Sequence, residues 1–220
     1  MRAGLIAGCL LAALPGLAFA GPAEGEKIAQ NGNASGSAPP CIACHGEHGE
    51  GQAGDAGVFP RLAGLSPDYF AKQIEDFRDG RRVNEIMQPI AAALTPEEAR
   101  DVADYYAALK APPGPAPEAD AAQLDLGRRL ATIGKWEAGV PPCVSCHAPE
   151  GVGVAPDFPY LAGQHAAYMT QQFEAWRNGQ RHNDPLDLMK SVALHLTADE
   201  AAAAAAYFQS LAPPAAQGRP

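Results

Sequence analysis

The sequence predicts an all-α protein of two tandem helical domains, and three observations carry this prediction. The stretch PPCIACHGE, which begins at Pro39, recurs from Pro141 as PPCVSCHAP, with both cysteines and the histidine in register. Between the copies lies KAPPGPAPEA, a ten-residue stretch that contains four prolines. Helix-start signals recur in both copies, whereas no segment sustains the polar–apolar alternation of a strand.

The repeat extends over nearly the whole chain after the first twenty residues. The hexapeptide FPRLAG of the first copy matches FPYLAG of the second, and Met87 matches Met189. The proline-rich stretch between the copies has the composition of a semi-rigid extended linker. The predicted organisation is a first domain at residues 21–109, a linker at 110–119 and a second domain at 120–220.

Helix boundaries are marked by local signals in each copy. Ser66 before Pro67 supplies a capping hydroxyl and a proline at the first helical position, and Gly80 ends that helix. The segments that begin at Thr95 and Thr197 read TPEE and TADE, which are capping boxes. These signals predict a small helical bundle in each copy.

Residues 1–20 have the pattern of a secretory signal peptide. A single basic residue, Arg2, precedes an apolar stretch, and Ala18-Phe19-Ala20 is a small-x-small cleavage pattern. An uncleaved anchor and a lipoprotein box at Cys9 are the alternatives. Export predicts a periplasmic protein, whose remaining four cysteines all lie in the two repeated motifs.

The charge of the chain limits the kinds of partner that it can bind. The formal net charge is −9, and residues 21–109 carry 14 acidic against 7 basic residues, whereas residues 120–220 carry 10 against 7. An acidic surface disfavours nucleic acid and anionic membranes. A basic protein surface is the expected partner.

The motif Cys-x-x-Cys-His is the attachment signature of c-type haem. Two thiols one helical turn apart form thioethers with the haem vinyl groups, and the adjacent histidine ligates the iron. The predicted cofactors are therefore two haem c groups, one in each domain. The predicted thioether residues are Cys41, Cys44, Cys143 and Cys146, and the predicted axial histidines are His45 and His147.

Two other interpretations of the cysteines are open at this point. A thioredoxin-like dithiol requires a neighbouring βαβ pattern, which the sequence lacks. A four-cysteine zinc site would have to join both motifs, although Cys44 and Cys143 are 99 positions apart. Neither alternative explains why a histidine follows each cysteine pair.

The repeat also indicates a sixth ligand for each iron. Met87 lies 46 residues after Cys41, and Met189 lies 46 residues after Cys143, although the intervening sequence contains compensating length changes. Core packing is the usual role of a methionine. The matched spacing favours axial ligation by Met87 and Met189, which raises the reduction potential and leaves no open coordination position for bond chemistry.

The other methionine and histidine residues are expected to serve different roles. Met169 lies at helical spacing from Phe173 and Trp176, which predicts a core position. Four histidines have no histidine counterpart in the other copy, and surface or loop positions are expected for them: His48, His165, His182 and His195.

Each copy resembles a small class I cytochrome c, with CxxCH near its start, a Pro-x-Leu-x-Gly segment and a methionine before the last helix. The tandem arrangement with a proline-rich linker resembles the di-haem cytochrome c₄ family. This resemblance implies two haem domains related by approximate twofold symmetry in a periplasmic electron carrier, often loosely membrane-associated. It also implies a bc₁-type complex as electron donor and a terminal oxidase, notably of the cbb₃ type, as acceptor.

The resemblance further implies supporting roles for residues around each haem. The carbonyl groups of Pro60 and Pro159 are expected to accept hydrogen bonds from the axial histidines. Asn84 and Asn183 are candidates to orient the methionine sulfurs. Four arginines are candidates to neutralise haem propionates, with solvated helix ends as the alternative: Arg78, Arg82, Arg177 and Arg181.

One departure separates the two copies. The insertion Asp184-Pro185-Leu186 stands just before Met189 in the second copy, where the first copy has no equivalent residues. The two methionine loops therefore differ in construction, and different reduction potentials are expected for the two haems.

Three alternative functions remain open from the sequence. The chain has the features of a di-haem subunit of a flavocytochrome or other dehydrogenase, such as sulfide dehydrogenase. A di-haem peroxidase or a thiosulfate dehydrogenase would require an open or unusual ligand position at one haem. A haem-free zinc or structural module would bind no haem at all.

Overall fold

The computed structural model describes residues 21–110 and 112–216, so the predicted signal peptide at residues 1–20 lies outside the described residues. Two sets of helices follow the two copies of the repeat. The first set is α1 Pro22–Asn31, α2 Ile42–His45, α3 Pro67–Arg78, α4 Met87–Ala93 and α5 Pro96–Ala108. The second set is α6 Ala121–Thr132, α7 Val144–His147, α8 Ala166–Arg177, α9 Leu188–His195 and α10 Ala198–Gln209.

The all-α prediction is confirmed, with one small exception. Strands β1 Gln52–Gly54 and β2 Gly57–Phe59 pair antiparallel in the first copy. The second copy has only a single bridge, between Val154 and Phe158, in the equivalent loop. Strands of three residues are too short to show an alternating pattern, so this hairpin could not be predicted from the sequence.

The first and last helices of each copy cross in close contact. A Cβ atom on Gly25 in α1 would lie 1.9 Å from the carbonyl oxygen of Asp101 in α5. A Cβ atom on Gly127 in α6 would lie 2.0 Å from the carbonyl oxygen of Ala203 in α10. Both distances are far shorter than any real contact of a Cβ atom, so only glycine fits at these repeated positions.

The predicted helix caps are present in the structure. Ser66 accepts a hydrogen bond from the backbone amide of Tyr69 at the start of α3. Thr95 and Glu98 form a complete capping box on α5, and Thr197 and Glu200 form the same box on α10. The backbone amides at these helix starts therefore have the partners that the sequence indicated.

The cores of the two domains differ in size. In the first domain Phe70 stacks on Tyr106, with ring centroids 5.9 Å apart, inside one large buried cluster. The second domain has two smaller clusters, and one of them contains Met169, which is buried as predicted. In α10 five of the six alanines at 201–206 are buried, and these small side chains allow neighbouring helices to approach.

The two domains also meet through their backbones. The amide of Val83 donates to the carbonyl of Gln180 at 2.7 Å, and the amide of His182 donates to the carbonyl of Arg81 at 2.9 Å. These bonds place Arg82 opposite Arg181 in an antiparallel bridge. No helix in residues 21–110 and 112–216 is long and apolar enough to cross a bilayer.

Candidate haem-binding site

A single cavity of about 1330 Å³ extends across both domains. It is lined by both predicted axial histidines and both predicted axial methionines: His45, Met87, His147 and Met189. Cys143 and Cys146 also line it, whereas Cys41, just before α2, and Cys44, within α2, lie outside the lining. Pockets for one small molecule typically measure about 300–1,000 Å³. The cavity therefore has room for more than one such ligand.

The two histidines have matching environments. The Nδ1 atom of His45 lies 3.0 Å from the carbonyl oxygen of Pro60, and that of His147 lies 2.7 Å from the carbonyl oxygen of Pro159. With the proton on Nδ1, each ring donates to its proline carbonyl, and the Nε2 lone pair is free for a metal. Both side chains are buried.

Burial keeps both imidazole rings neutral. Loss of hydration lowers the pKa of His45 and His147, although the hydrogen bonds to the proline carbonyls act in the opposite direction. A neutral imidazole is the form that ligates iron. The environment of each ring is therefore the one that an axial ligand requires.

An aromatic side chain that the sequence analysis did not single out also orients each histidine. The ring of Phe59 meets His45 edge-on at 6.2 Å, and the ring of Phe158 meets His147 edge-on at 5.9 Å. Both phenylalanines directly precede the prolines in the repeated hexapeptide. Their repetition was the available signal for this role.

The four cysteines of the repeated motifs are free thiols, each partly buried. Burial raises the pKa of Cys41 and of Cys143 to about 11 in each case, so these thiols stay protonated at neutral pH. In the part of the chain that the structure describes, no three His, Cys, Asp or Glu residues cluster as a metal site. Unpaired cysteines beside a buried histidine fit the attachment of haem.

The two methionine loops are anchored by different residues. The side-chain oxygen of Asn84 accepts from the backbone amide of Met87 at 2.9 Å, at the start of α4. In the second domain Asp184, from the insertion, accepts from the amide of Met189 at 2.8 Å. Asn183 instead donates to Asp76 across the domain interface. The expected role of Asn183 beside the methionine is therefore wrong, because the insertion displaces it from the loop anchor.

Arg78 and Arg177 cap the helices that carry the methionines. Arg78 donates to the carbonyls of Ala91 at 3.2 Å and Leu94 at 2.8 Å. Arg177 donates to the carbonyls of Ala193 and Leu196, both at 2.7 Å. Their guanidinium groups satisfy the last carbonyls of α4 and α9, which otherwise lack donors. The role of these two arginines at haem propionates stays a prediction, and both lie at helix ends, as the alternative expected.

Arg82 and Arg181 each donate a hydrogen bond to a tyrosine of the other domain. Arg82 donates to the hydroxyl of Tyr168 at 2.7 Å, and Arg181 donates to the hydroxyl of Tyr69 at 3.1 Å. Since Tyr69 and Tyr168 occupy equivalent positions in the two copies, the contacts are related by an approximate twofold axis. Both arginines are buried, so the alternative of solvated helix ends is wrong for them.

These two arginines also provide a test of whether the site fits haem. Each guanidinium lies over an aromatic ring, Arg82 at 4.5 Å from the Phe77 centroid and Arg181 at 4.1 Å from that of Trp176. Among the described residues neither forms an ion pair with a carboxylate, although both line the cavity. Buried cations require anionic partners. The carboxylate groups of haem would supply them.

Other contacts across the domain interface could not be predicted from the sequence. Arg61 is fully buried and donates to the carbonyl of Gly163 at 3.0 Å and to that of Pro112 in the linker. Tyr160, its counterpart in the second copy, donates to the carbonyl of Ala63 at 2.9 Å. The residues that follow the two haem-side prolines therefore both cross the interface.

His165 lies in the loop before α8, which is one of the two kinds of position expected for it, but it is not at the surface. Its ring is buried at the interface, where Nε2 lies 2.9 Å from the carbonyl oxygen of Glu50 in the first domain. Burial lowers the pKa of His165, so the neutral ring donates to that carbonyl. The contact between the domains buries this histidine, and the local sequence does not indicate that contact.

Comparison with known proteins identifies relatives over most of the chain. The model of the family described as cytochrome c matches residues 22–110 and 140–212. A thiosulfate dehydrogenase electron acceptor from Stutzerimonas stutzeri is 48% identical over 189 residues, which cover 86% of this chain and 87% of the relative. A cytochrome c4 from Thiocapsa roseopersicina is 40% identical and covers 87% of this chain and 96% of the relative.

Solved structures give the same two kinds of match. Reduced cytochrome c4 from Pseudomonas stutzeri superposes with a TM-score of 0.73 at 34% identity, covering 86% of this chain and 97% of that one. A thiosulfate dehydrogenase (TsdBA) from Marichromatium purpuratum superposes with a TM-score of 0.79 at 43% identity. This chain spans 40% of the length of that dehydrogenase chain, and the match covers 86% of this one.

Proposed function

Because this chain belongs to the cytochrome c family, as a tandem electron carrier, we propose that it holds two haem c groups and accepts electrons from a thiosulfate dehydrogenase. One observation carries the proposal. Two buried histidines, each hydrogen-bonded to the carbonyl of a proline, line one cavity together with two methionines that occupy matching positions in the repeat.

The residues of each domain divide the work of holding the cofactor. Cys41 and Cys44, like their counterparts Cys143 and Cys146, would form the thioether bonds. His45 with Met87, and His147 with Met189, would bind the two faces of each iron. Bound haem would supply a one-electron iron couple. With both axial positions filled by the protein, the site favours electron transfer over bond chemistry.

The choice of donor rests on relatives named for that role. Acceptors of thiosulfate dehydrogenase from Stutzerimonas stutzeri and Thiomonas intermedia are 48% and 46% identical to this chain. The cytochrome c4 relatives are 33–40% identical. The higher identity favours a dehydrogenase as the electron donor.

The remaining partners and the location follow from the sequence predictions. We propose a periplasmic protein, since residues 1–20 have a signal-peptide pattern. A terminal oxidase of the cbb₃ type is the proposed acceptor. A bc₁-type donor, which the resemblance to the cytochrome c₄ family implies, is the second candidate. Loose association with the membrane would place the carrier near either complex.

A rapid-mixing experiment tests the choice of donor. The oxidised holoprotein is mixed with purified Stutzerimonas stutzeri thiosulfate dehydrogenase and thiosulfate, and haem absorbance is followed. Rapid reduction that requires both enzyme and thiosulfate is expected. A bc₁-type complex with its quinol serves as the competing donor. Reduction by that complex alone would contradict the thiosulfate assignment and favour the respiratory pathway.

A further inference from the structure

One position on the last helix of each domain carries a hydroxyl group in the first domain but not in the second. Tyr106 in α5 and Phe208 in α10 occupy equivalent positions in the repeat. The amide of Gly64 donates to the carbonyl of Tyr106 at 2.9 Å, and the amide of Gly163 donates to the carbonyl of Phe208 at 2.8 Å. The backbones therefore match here, and the phenol oxygen of Tyr106 is what distinguishes the two side chains.

The two rings also occupy matching surroundings. A Cβ atom on Gly49 would lie 2.8 Å from the ring of Tyr106, and a Cβ atom on Gly151 would lie 2.7 Å from the ring of Phe208. Each of these glycines belongs to the loop that follows a Cys-x-x-Cys-His motif. Each ring therefore packs against the backbone of that loop, beside the predicted haem site.

The hydroxyl of Tyr106 is buried and unsatisfied. The residue is fully buried, and no described residue forms an ordinary hydrogen bond with its phenol oxygen. A buried polar group without a partner destabilises the folded protein. Since phenylalanine fills the equivalent place in the second domain, packing of the ring does not require the hydroxyl. A role of the hydroxyl at the predicted haem site would account for its presence.

The sulfur of Cys41 lies close to this hydroxyl. Cys41 packs against the core cluster that contains Tyr106. Burial raises the pKa of the Cys41 thiol to about 11, and interaction with the Tyr106 hydroxyl acts in the opposite direction. In the second domain Cys143 packs against the cluster that contains Phe208, which has no hydroxyl. The sulfur of Cys143 instead lies 3.8 Å from the carbonyl oxygen of Leu130.

Attachment of haem would change the hydrogen bonds that the Cys41 sulfur can form. A thiol carries a proton and can donate it, whereas a thioether sulfur has only lone pairs and can only accept. The phenol of Tyr106 is a donor as well as an acceptor. With Cys41 joined to a vinyl group, the Tyr106 hydroxyl would therefore have an acceptor within its buried surroundings.

A hydrogen bond to this sulfur would act on the reduction potential. In iron–sulfur clusters, hydrogen bonds to the sulfur atoms are among the features that set the potential, and hydrogen bonds around a haem act in a similar way. A donor at the Cys41 sulfur withdraws electron density from the edge of the haem, which favours the reduced iron. Phe208 would have no such effect in the second domain.

We infer that Tyr106 is a positioning residue for the haem of the first domain, whose hydroxyl donates to the Cys41 sulfur and raises the reduction potential of that haem above that of the second. The inference rests on the proposed binding of two haems, but not on the identity of the electron donor. In the half-reduced protein the electron therefore resides mainly in the first domain.

The substitution Tyr106→Phe removes only the hydroxyl, and the second domain already accommodates phenylalanine at this position. Redox titration of the variant holoprotein is compared with that of the wild type, and the step of the first haem is identified as the one that Met87→Ala shifts. We expect the equilibrium constant for reduction of the first haem to fall about two- to fivefold, towards the lower end of what one hydrogen bond contributes. The constant for the second haem should not change.

The matched control is Tyr207→Phe, which removes a hydroxyl from the last helix of the second domain and should leave both constants unchanged. Unchanged constants in Tyr106→Phe would overturn the role of the hydroxyl and leave the proposed function standing. An equal fall for both haems, or an equal effect of Tyr207→Phe, would assign the change to packing and would also overturn it. A first haem with the lower potential in the wild type would overturn the ranking. Failure of the wild-type chain to bind two haems would overturn both proposals.

Discussion

The environment of each predicted axial histidine is built from two adjacent residues of the repeated hexapeptide. The backbone carbonyl of Pro60 accepts a hydrogen bond from Nδ1–H of His45, and the ring of Phe59 meets the same imidazole edge-on. Pro159 and Phe158 do the same for His147. A proton held on Nδ1 directs the lone pair of Nε2 to the metal and raises its basicity. The surroundings of His45 and His147 are therefore nearly equivalent.

The two loops that carry the methionines are less alike than the two histidine sites. This difference would affect the reduction potential of a haem bound in each domain. Asn84 anchors Met87 with a neutral amide, whereas Asp184 anchors Met189 with a carboxylate. An anionic group near an iron favours its oxidised form. The contrast between Asn84 and Asp184 would therefore lower the potential of a haem bound in the second domain relative to one bound in the first.

Substitution of each methionine alone tests whether Met87 and Met189 each bind one iron. Met189→Ala should remove about half of the weak far-red absorption of methionine–iron ligation, since only one of two haems loses its sulfur ligand. Met87→Ala should remove the other half, and the double variant should lack the band. The measurement is the absorption spectrum of the oxidised holoprotein.

The third methionine of the described chain supplies the control. Met169 is buried in a core cluster, so Met169→Ala should lower the free energy of unfolding by about 2–5 kcal/mol and leave the far-red band intact. A full-intensity band in Met189→Ala would show that another group binds that iron.

At the scale of helices, the local signals in the sequence were reliable. The capping boxes at Thr95 and Thr197 involve residues three positions apart, so their geometry follows from the sequence itself. The same holds for the short helices that carry Cys-x-x-Cys-His. The hairpin at residues 52–59 escaped prediction because its strands are three residues long and its stability comes from tertiary context.

The crossing of α6 and α10 gives a prediction at this scale. Gly127→Ala would place a methyl group 2.0 Å from the carbonyl of Ala203, so the helices must separate. Overpacking of this kind typically costs about 1–3 kcal/mol. Chemical denaturation of the holoprotein should show a loss in that range.

Gly54→Ala is the matched control for this prediction. A Cβ atom at Gly54 would have no atom within 4 Å, and its φ is not in the left-handed region. This variant should unfold within about 0.5 kcal/mol of the wild type. An equal effect of both substitutions would show that the close helix crossing is not what selects glycine at position 127.

At the scale of the whole molecule, contacts across the interface hold the two domains in one relative orientation. Arg82 and Arg181 exchange contacts about an approximate twofold axis, and Arg61 ties the first domain to the second and to the linker. These contacts fix the orientation of one half of the cavity relative to the other. A fixed orientation keeps the distance between the two predicted cofactor sites constant.

The sequence could not predict this interface. Asp76 contacts Asn183, and Tyr160 contacts Ala63, across separations of about a hundred residues in the chain. No local pattern connects such residues, and the repeat reveals equivalent positions without revealing which ones touch. For the same reason the burial of the loop residue His165 at the interface could not be predicted.

Asp76 makes the interface sensitive to pH. Burial acts to raise the pKa of this carboxyl, but hydrogen bonds from Lys72, Arg81 and Asn183 outweigh it and lower the pKa below its usual value. The carboxylate therefore contributes stability above the unfolded-state pKa of about 3.9, and this contribution is lost as the pH falls through the lower pKa of the folded state.

A comparison of wild type with Asp76→Asn tests this contribution. At pH 7 the variant should be less stable by about 1.5–3 kcal/mol, the usual range for hydrogen bonds to a charged group. The difference should shrink as the pH falls below about 4, where the wild-type carboxylate becomes protonated. Denaturation at several pH values measures it. A difference that grows towards acid pH would contradict the assigned direction of the pKa shift.

A coulometric redox titration of the purified holoprotein, followed through the far-red band, tests the central claim most directly. The account predicts that each chain takes up two electrons. It also predicts that the band, which belongs to the oxidised methionine-ligated state, disappears in two equal parts. Uptake of a single electron per chain, or a band that accounts for only one haem, would contradict a carrier with histidine and methionine ligands in both domains.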